Sequence, residues 1–382
     1  MDKINVLWII PYLDRRLVEL ASNLGALGIG VHIAAQQGSP YLFPGIVSPR
    51  SPVKTGRRSI RSLRSQAREL LRSSGAQLVH AVGLRALRIA TRLGGGDAGL
   101  RLVAEYDGGS IPAWCRTPYA AFGHPLITQV LLREPHHLAY FERRTGIAAD
   151  RIRVIPFGVK PDWYTRPGMQ CWARKDKSRM FILGVSLEHI SSKNLRLVLA
   201  ACNLLPPEAN IKLLLIDRTD RCDRVIRELH RWPDNVVART HIVIDKSDPG
   251  TFWSVCTSSL HFPTQHSSLN ELRDSMVSAV IPIVVTQDRT QIVEDLSTGL
   301  VVSSSNPHSL CQSIQYLRDD MTACRAMALR ARETVLSACS FERSAAALAT
   351  IYRGAIGDKR RSLPVRLSRN DPGANKLEHA SL

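Results

Sequence analysis

The most informative stretch for chemistry is a polar loop, residues 264–270, between a short apolar strand and a helix over about residues 271–280. A helix that begins after such a loop presents unpaired backbone N–H groups and the positive end of its dipole. Both features attract phosphate. The main-chain amides of Ser268, Leu269 and Asn270 therefore form a candidate phosphate site that needs no particular side chain.

The elements that must position this loop alternate between strands and helices along the chain. Apolar runs at residues 4–10, 31–35 and 76–82 in the first half, and at 179–185 and 211–217 in the second, are typical of buried strands. Segments with helical spacing separate them. The alternation predicts an α/β protein with doubly wound parallel sheets in two domains that face a central crevice.

Asp107 is a second candidate for chemistry, because it follows an apolar strand that begins at Arg101. In open parallel sheets, ligands bind in the crevice outside the carboxyl ends of the strands. That position favours Asp107 as a site residue. The alternative is turn chemistry, since Asp107-Gly108 is a common turn pair.

The composition is that of a globular protein with a strong positive charge. The chain has 382 residues, 44% hydrophobic and 22% charged, and a net charge of +18. The charge favours anionic partners, although basic residues spread over a solvated surface explain it as well. No helix-turn-helix, RRM or zinc pattern accompanies it, so we expect no nucleic acid partner.

Eight cysteines without a C-x2-C pair argue against a zinc site. We expect a cytoplasmic protein, since the sequence shows neither a signal peptide nor an apolar run of about 20 residues.

One predicted helix, residues 59–74, carries its basic residues on one face. Arg57, just before the helix, would share a stripe beside the apolar side with four arginines of the helix, Arg61, Arg64, Arg68 and Arg72. Two interpretations stay open. The helix packs on the sheet with its charges in water, or it lies on an anionic membrane surface.

Several segments resemble family 4 glycosyltransferases. A proline and small-residue loop, a helix, a small-x-Pro turn and a strand follow one another up to residue 285, as in the nucleotide-sugar core of that family. The sequence VIPFGVK at residues 154–160 resembles the family's Val-Ile-Pro-Asn-Gly-Val-Asp segment. The Ser340-Phe341-Glu342 segment and the later Ile351-Tyr352 pair resemble the family's last helix.

The resemblance implies a GT-B architecture. Residues 1–165 form a Rossmann-like acceptor domain and residues 166–339 a Rossmann-like domain for the nucleotide-sugar donor. The helix at residues 340–357 packs back on the first domain, and residues 358–382 form a disordered basic tail.

The resemblance also assigns roles to single residues. Lys193 matches the family's phosphate-binding lysine, and Asp107 stands where many members carry a histidine near the donor sugar. Counted back from Pro282, the family's Glu-x7-Glu pair falls on Ser267 and Ser275; one inserted residue would place it on His266 and Asp274 instead. The resulting assignment is catalytic for Asp107 and Glu271, acceptor-side for Asp14, Arg15 and His80, and donor-binding or phosphate-binding for Gly184, Lys193, Ser267, Ser268, Leu269, Asn270 and Ser275.

By this resemblance the protein is a retaining hexosyltransferase that needs neither a metal nor a cofactor. It would move a hexose from a nucleotide diphosphate sugar to a glycan or lipid-linked acceptor in surface polysaccharide biosynthesis, at the inner face of a membrane. Neither motif glutamate is present. Either the donor site is rebuilt around Lys193, Glu271 and Asp107, or the protein is an inactive GT-B relative that binds partners or acts as a scaffold.

Overall fold

The computed structural model describes most of the chain in twelve segments. These are residues 4–38, 60–94, 100–106, 121–145, 147–164, 180–187, 190–217, 222–244, 252–263, 269–286, 292–303 and 306–357. Asp107, His266, Ser267, Ser268 and the tail 358–382 lie outside them, so the predictions for those residues remain predictions.

The first domain is built on a six-stranded parallel sheet with the order β2-β1-β3-β4-β5-β6. The strands are β1 (Ile4–Leu13), β2 (Ile29–Gly38), β3 (Leu78–Val82), β4 (Arg101–Tyr106), β5 (Ile127–Leu132) and β6 (Ile152–Val154). Its described helices are α1 (Arg15–Ala26), α2 (Ile60–Ser74), α3 (Gly83–Gly94) and α4 (His137–Thr145).

The first strand is longer than its apolar run predicts. The sequence places a turn after Ile10, but β1 continues because Tyr12 and Leu13 pair with Gln37 and Gly38 of β2. Helix α1 then begins after a single residue. The end of β1 is therefore set by its backbone pairing with β2 and not by the local apolar pattern.

The second domain repeats this architecture with the order β12-β11-β10-β7-β8-β9. The strands are β7 (Phe181–Ser186), β8 (Ile211–Asp217), β9 (Thr240–Ile244), β10 (Ser258–His261), β11 (Ile281–Val285) and β12 (Leu300–Val302). Its helices are α5 (Ser192–Asn203), α6 (Cys222–Leu229), α7 (Asp234–Arg239) and α8 (Asn270–Val277). The two six-stranded parallel sheets confirm the predicted fold class. Strand order reverses between β7 and β10, and such a switch point is where ligands bind in doubly wound sheets.

Three helices close the chain: α9 (Pro307–Asp319), α10 (Met321–Ala338) and α11 (Phe341–Gly357). Leu310, Ile314, Leu317 and Met321 have helical spacing in the sequence, which predicts one helix through all four. The structure instead ends α9 at Asp319, because the Asp320 side chain accepts the Ala323 N–H at 3.0 Å and caps α10.

Helix α11 lies on the first sheet although it follows the second domain in sequence. Its buried residues share a core with β1 and α1, and the Tyr352 hydroxyl accepts a hydrogen bond from the Trp8 indole N–H at 3.1 Å. The chain therefore crosses between the two sheets twice. Both crossings run side by side, since Val159 pairs with Ser340 in a parallel bridge.

Within the described segments, we find no helix with the length and apolar character needed to cross a bilayer.

Candidate functional site

The second sheet's switch point holds a carboxylate. Ser186 is the last residue of β7, and its hydroxyl donates a hydrogen bond of 2.6 Å to Oε1 of Glu271 in the first turn of α8. Glu271 is half-buried. The structure therefore brings a predicted catalytic residue to the end of β7, where a nucleotide ligand of a doubly wound sheet binds.

Ser275 lies one turn further along α8 and faces the interior of the domain. It is fully buried, and its hydroxyl donates to the Leu272 carbonyl at 2.8 Å. Nε2 of His261, the last residue of β10, is 3.1 Å from the same hydroxyl. Burial lowers the pKa of His261 to about 3, so this ring is neutral near pH 7. Ser275 thus packs against β10, which does not fit its predicted donor-binding role.

Lys193 is exposed in the first turn of α5, the helix that follows β7. Ser191 caps this helix by accepting the Asn194 N–H at 3.1 Å. Because α5 follows the strand that ends at Ser186, its first turn belongs to the same edge of the sheet as Glu271. That position suits the phosphate-binding role predicted for Lys193.

Gly184 has a different role from the one predicted. It lies inside β7, and a Cβ at this position would be 2.6 Å from Sγ of Cys256 and 3.1 Å from the Trp253 ring. The small residue therefore makes room for side chains packed on the sheet.

The N-terminus of α8 is occupied by a carboxylate from the other domain. The Leu269 N–H donates to Oε1 of Glu134 at 3.0 Å, and Glu134 follows β5 in the first sheet. Arg273 donates to both oxygens of that carboxylate, at 2.9 and 2.7 Å. Asn270, also predicted to bind phosphate, accepts from Arg273 Nη1 at 3.4 Å. In this structure the Leu269 amide binds an anion supplied by the protein itself.

A second ion pair joins α8 to the first domain with the opposite polarity. Nη2 of Arg16 lies 2.5 Å from each oxygen of Asp274, and the Tyr164 hydroxyl also donates to Asp274. Burial alone would lower the pKa of Arg16, but the Asp274 carboxylate raises it above its ordinary value. Asp274 is therefore engaged with the first domain in this structure, and its match to the second motif glutamate stays a prediction.

The two residues before Arg16 have local roles. Asp14 caps α1 by accepting the Leu17 N–H at 2.9 Å, and the Arg15 guanidinium lies 4.3 Å from the centre of the Trp163 ring. The predictions selected Asp14 and Arg15 from this segment. The structure shows that the next residue, Arg16, reaches the second domain.

His80 does not lie on an open acceptor surface. Its side chain is 1% exposed, and Nδ1 lies 2.6 Å from the Tyr352 hydroxyl beneath α11. Nε2 is 3.2 Å from Glu105. His80 belongs to the packing between the first sheet and the last helix, which corrects the acceptor-side prediction.

No pattern in the sequence pointed to Arg16, Glu134, Arg273 or His261. Arg16, Glu134 and Arg273 acquire their partners from segments far away in the chain, so spacing within one element cannot reveal them. In the segments that the structure describes, no group of three or more His, Cys, Asp and Glu residues is arranged to hold a metal ion.

Comparisons with known proteins support the fold described above. Residues 13–163 match the family model described as Glycosyltransferase Family 4. A search of curated proteins found no significant match. Among solved structures, a glycosyltransferase from Rickettsia africae is 15% identical with a TM-score of 0.72, over 94% of this chain and 100% of that one.

Two further solved structures are similar over nearly their whole length. Anabaena HepE, in complex with UDP and glucose, is 15% identical with a TM-score of 0.66, over 90% of this chain and 99% of that chain. WaaG, described as a glycosyltransferase involved in lipopolysaccharide biosynthesis, is 14% identical with a TM-score of 0.66, over 92% and 100%. These similarities establish the fold. The chain is a two-domain protein of the GT-B fold, and residues 13–163 of its first domain match the Glycosyltransferase Family 4 model.

Proposed function

We propose that this protein is a glycosyltransferase that moves a hexose from a nucleotide diphosphate sugar to a glycan or lipid-linked acceptor. The observation that carries the proposal is the Glu271 carboxylate held by Ser186 at the switch point of the second sheet. The GT-B fold and the Glycosyltransferase Family 4 region support it. Solved relatives hold UDP and UDP-glucose, and one acts in lipopolysaccharide biosynthesis, which supports a surface polysaccharide as the product.

In the proposed reaction, the bond between the anomeric carbon of the hexose and the β-phosphate oxygen breaks. The acceptor hydroxyl oxygen bonds to that carbon on the same face, its proton passes to the released diphosphate, and the configuration is retained. Lys193 balances the charge on the diphosphate, without a metal or a cofactor, and the main-chain amide of Ser268 remains its proposed helper. Glu271 stabilises the positive charge that develops at the anomeric carbon, and Asp107 remains its proposed partner from the first domain.

The first test is a calorimetric and thermal-shift titration with UDP, GDP, ADP and their common sugars, with and without EDTA. We expect saturable binding of one nucleotide class and no effect of EDTA, followed by transfer of the matching sugar. A folded protein that binds none of them would contradict the proposal. That result would favour the inactive relative that binds partners or acts as a scaffold.

Replacing Lys193 with alanine should weaken the affinity for the bound nucleotide about 10- to 100-fold, the range expected when a charge-assisted hydrogen bond is lost. The fold should be unaffected, because this side chain is exposed. Calorimetry measures both affinities. The matched control is Arg196→Ala on the same helix, since Arg196 is directed at Glu228 of α6. Equal affinities of Lys193→Ala and the wild type would remove Lys193 from the site.

A basic surface on the first domain supports an anionic membrane as a further partner. Helices α2 and α3 pack against the same hydrophobic core, and we call their outer face the arginine surface. Its basic residues are Arg61, Arg64, Arg68, Arg72, Arg85, Arg88 and Arg92, all exposed except the half-buried Arg64. Glu69 is the only acidic residue on these two helices. We propose that this surface docks the enzyme on the cytoplasmic face of a membrane, where a lipid-linked acceptor resides.

Replacing Arg61, Arg68 and Arg72 with glutamine should weaken binding to phosphatidylglycerol vesicles about 100-fold, at about 1 kcal/mol per arginine. Vesicle sedimentation measures this, and added salt should reduce the difference. The control replaces three exposed arginines of the second domain, Arg227, Arg231 and Arg325. If both triple variants bind equally well, the arginine surface does not dock the protein.

A further inference from the structure

Helix α8 is attached to the first domain by two neighbouring residues of opposite charge. Arg273 pairs with Glu134, and Asp274 pairs with Arg16. Glu134, Arg273 and Asp274 are each at most 3% exposed, and Arg16 is 16% exposed. We call these two pairs the interdomain clamp. All four charges are taken out of water between the domains, so each depends on its partner in the other domain.

The interdomain clamp restrains the rotation of α8 about its axis as well as the separation of the two domains. Successive residues of a helix point about 100° apart, so Arg273 and Asp274 hold two different sides of α8. The two pairs also differ in polarity. A helix turned by one residue would bring like charges together. The clamp therefore accepts only one orientation of α8 against the first domain.

Glu134 also serves as the cap of this helix. The residue at the cap position is Leu269, whose side chain provides no capping hydrogen bond. The Glu134 carboxylate accepts the Leu269 N–H instead, and its charge is favourable at the positive end of the helix dipole. One side chain of the first domain thus completes a helix of the second domain.

We propose that Glu134 and Arg16 are positioning residues, which act through Arg273 and Asp274 to hold α8 and its Glu271 at a fixed place relative to the first domain. The inference deepens the proposed function, because it takes Glu271 as part of the donor site. Only two residues separate Glu271 from Asp274 on one short helix. Any movement of the clamp residues on α8 therefore also moves the Glu271 carboxylate at the switch point.

The test compares Glu134→Gln, Arg273→Gln and the double variant in the full-length protein. Each single change leaves one buried charge without its partner, and opening the crevice relieves that charge by exposing it to water. The double variant leaves no charge, and replacing both members of a pair is close to neutral. We expect hydrogen exchange in residues 269–277 to be about 10-fold faster or more in each single variant, and near wild type in the double variant.

Small-angle scattering provides a second readout, with a larger radius of gyration in the single variants only. Arg16→Gln, Asp274→Asn and their double variant should repeat the pattern. The control is Glu19→Gln, which breaks the partly exposed ion pair between Glu19 and Lys160 inside the first domain. We expect it to leave exchange in residues 269–277 unchanged.

Transfer assays separate this inference from the proposed function. If the enzyme is active, each single variant should lower kcat about 10-fold or more while nucleotide affinity changes less, and the double variant should recover the rate. Exchange and scattering that follow the expected pattern support the clamp even if the wild type transfers no sugar. Unchanged exchange in the single variants, or no recovery in the double variant, overturns it whether or not the wild type is active.

Discussion

Replacing Glu105 with glutamine should lower the free energy of unfolding by about 3 to 5 kcal/mol, as measured by urea denaturation. Glu105 is 1% exposed and accepts hydrogen bonds from Arg133 Nε and Nη2 at 2.7 and 2.5 Å. Arg133 also donates to the Ile155 carbonyl and stacks on Phe157. The glutamine would leave this guanidinium buried without a counter-charge. A buried charge without a partner is the main cause of the stability lost when one member of a buried ion pair is removed.

The same pair gives an acid dependence with a defined sign. Burial alone would raise the pKa of Glu105, but Arg133 and His80 lower it from 4.5 to about 2. The ionised carboxylate therefore contributes about 3 kcal/mol of stability above pH 4.5, and this contribution is lost as the pH falls towards 2. In Glu105→Gln the dependence over this range should be shallower by that amount.

The control for Glu105 is Glu19→Gln, which breaks an ion pair with Lys160 whose side chains are 24% and 39% exposed. Water already screens this pair, so we expect a change of less than about 1 kcal/mol. A Glu105 variant no less stable than the Glu19 variant would show that the buried pair contributes little.

Replacing Gly158 with alanine should destabilise the protein by about 1 to 3 kcal/mol or more, through overpacking. The added Cβ would lie 2.5 Å from both N and Cα of Phe341. These are backbone atoms at the start of α11, so no side-chain rotation relieves the clash. Because Val159 N–H donates to the Cys339 carbonyl at 2.9 Å beside it, both chain crossings must shift together. Urea denaturation and proteolysis of α11 would measure the effect.

Gly354→Ala is the matched control on the same helix. No atom lies within 4 Å of the Cβ that it would add, and the position is exposed. Alanine in a helix interior should raise stability by up to about 1 kcal/mol. If Gly158→Ala is as stable as Gly354→Ala, the close approach of the two chain crossings does not require glycine at position 158.

The fold could be predicted because each of its elements has a local signature. The run IPIVV at Ile281–Val285 is a buried strand in sequence and in structure, and α8 begins within one residue of the predicted start. Apolar runs of this kind determine which segments become strands. Parallel pairing then follows from the helices between them.

The site was less predictable because its geometry depends on contacts between distant segments. Glu271 was found from its place in the loop-to-helix stretch. Glu134 and Arg16 lie 135 and 258 residues from the atoms they bind at the start of α8 and on Asp274, and nothing near them in sequence indicates a partner. Gly184 and His80 show the reverse case. The resemblance assigned both residues to ligand sites, but neighbouring side chains pack around both.

The double crossing of the chain has a consequence for biosynthesis. The core of the first domain includes Phe341, Leu348 and Tyr352 of α11, so residues made after the second domain complete a domain begun before it. The Trp8 indole gains its hydrogen-bond acceptor only when residue 352 is available. During translation, the apolar face of the first domain that α11 covers therefore stays exposed until the entire second domain has emerged from the ribosome. Chaperone binding to nascent chains should persist until α11 has left the exit tunnel.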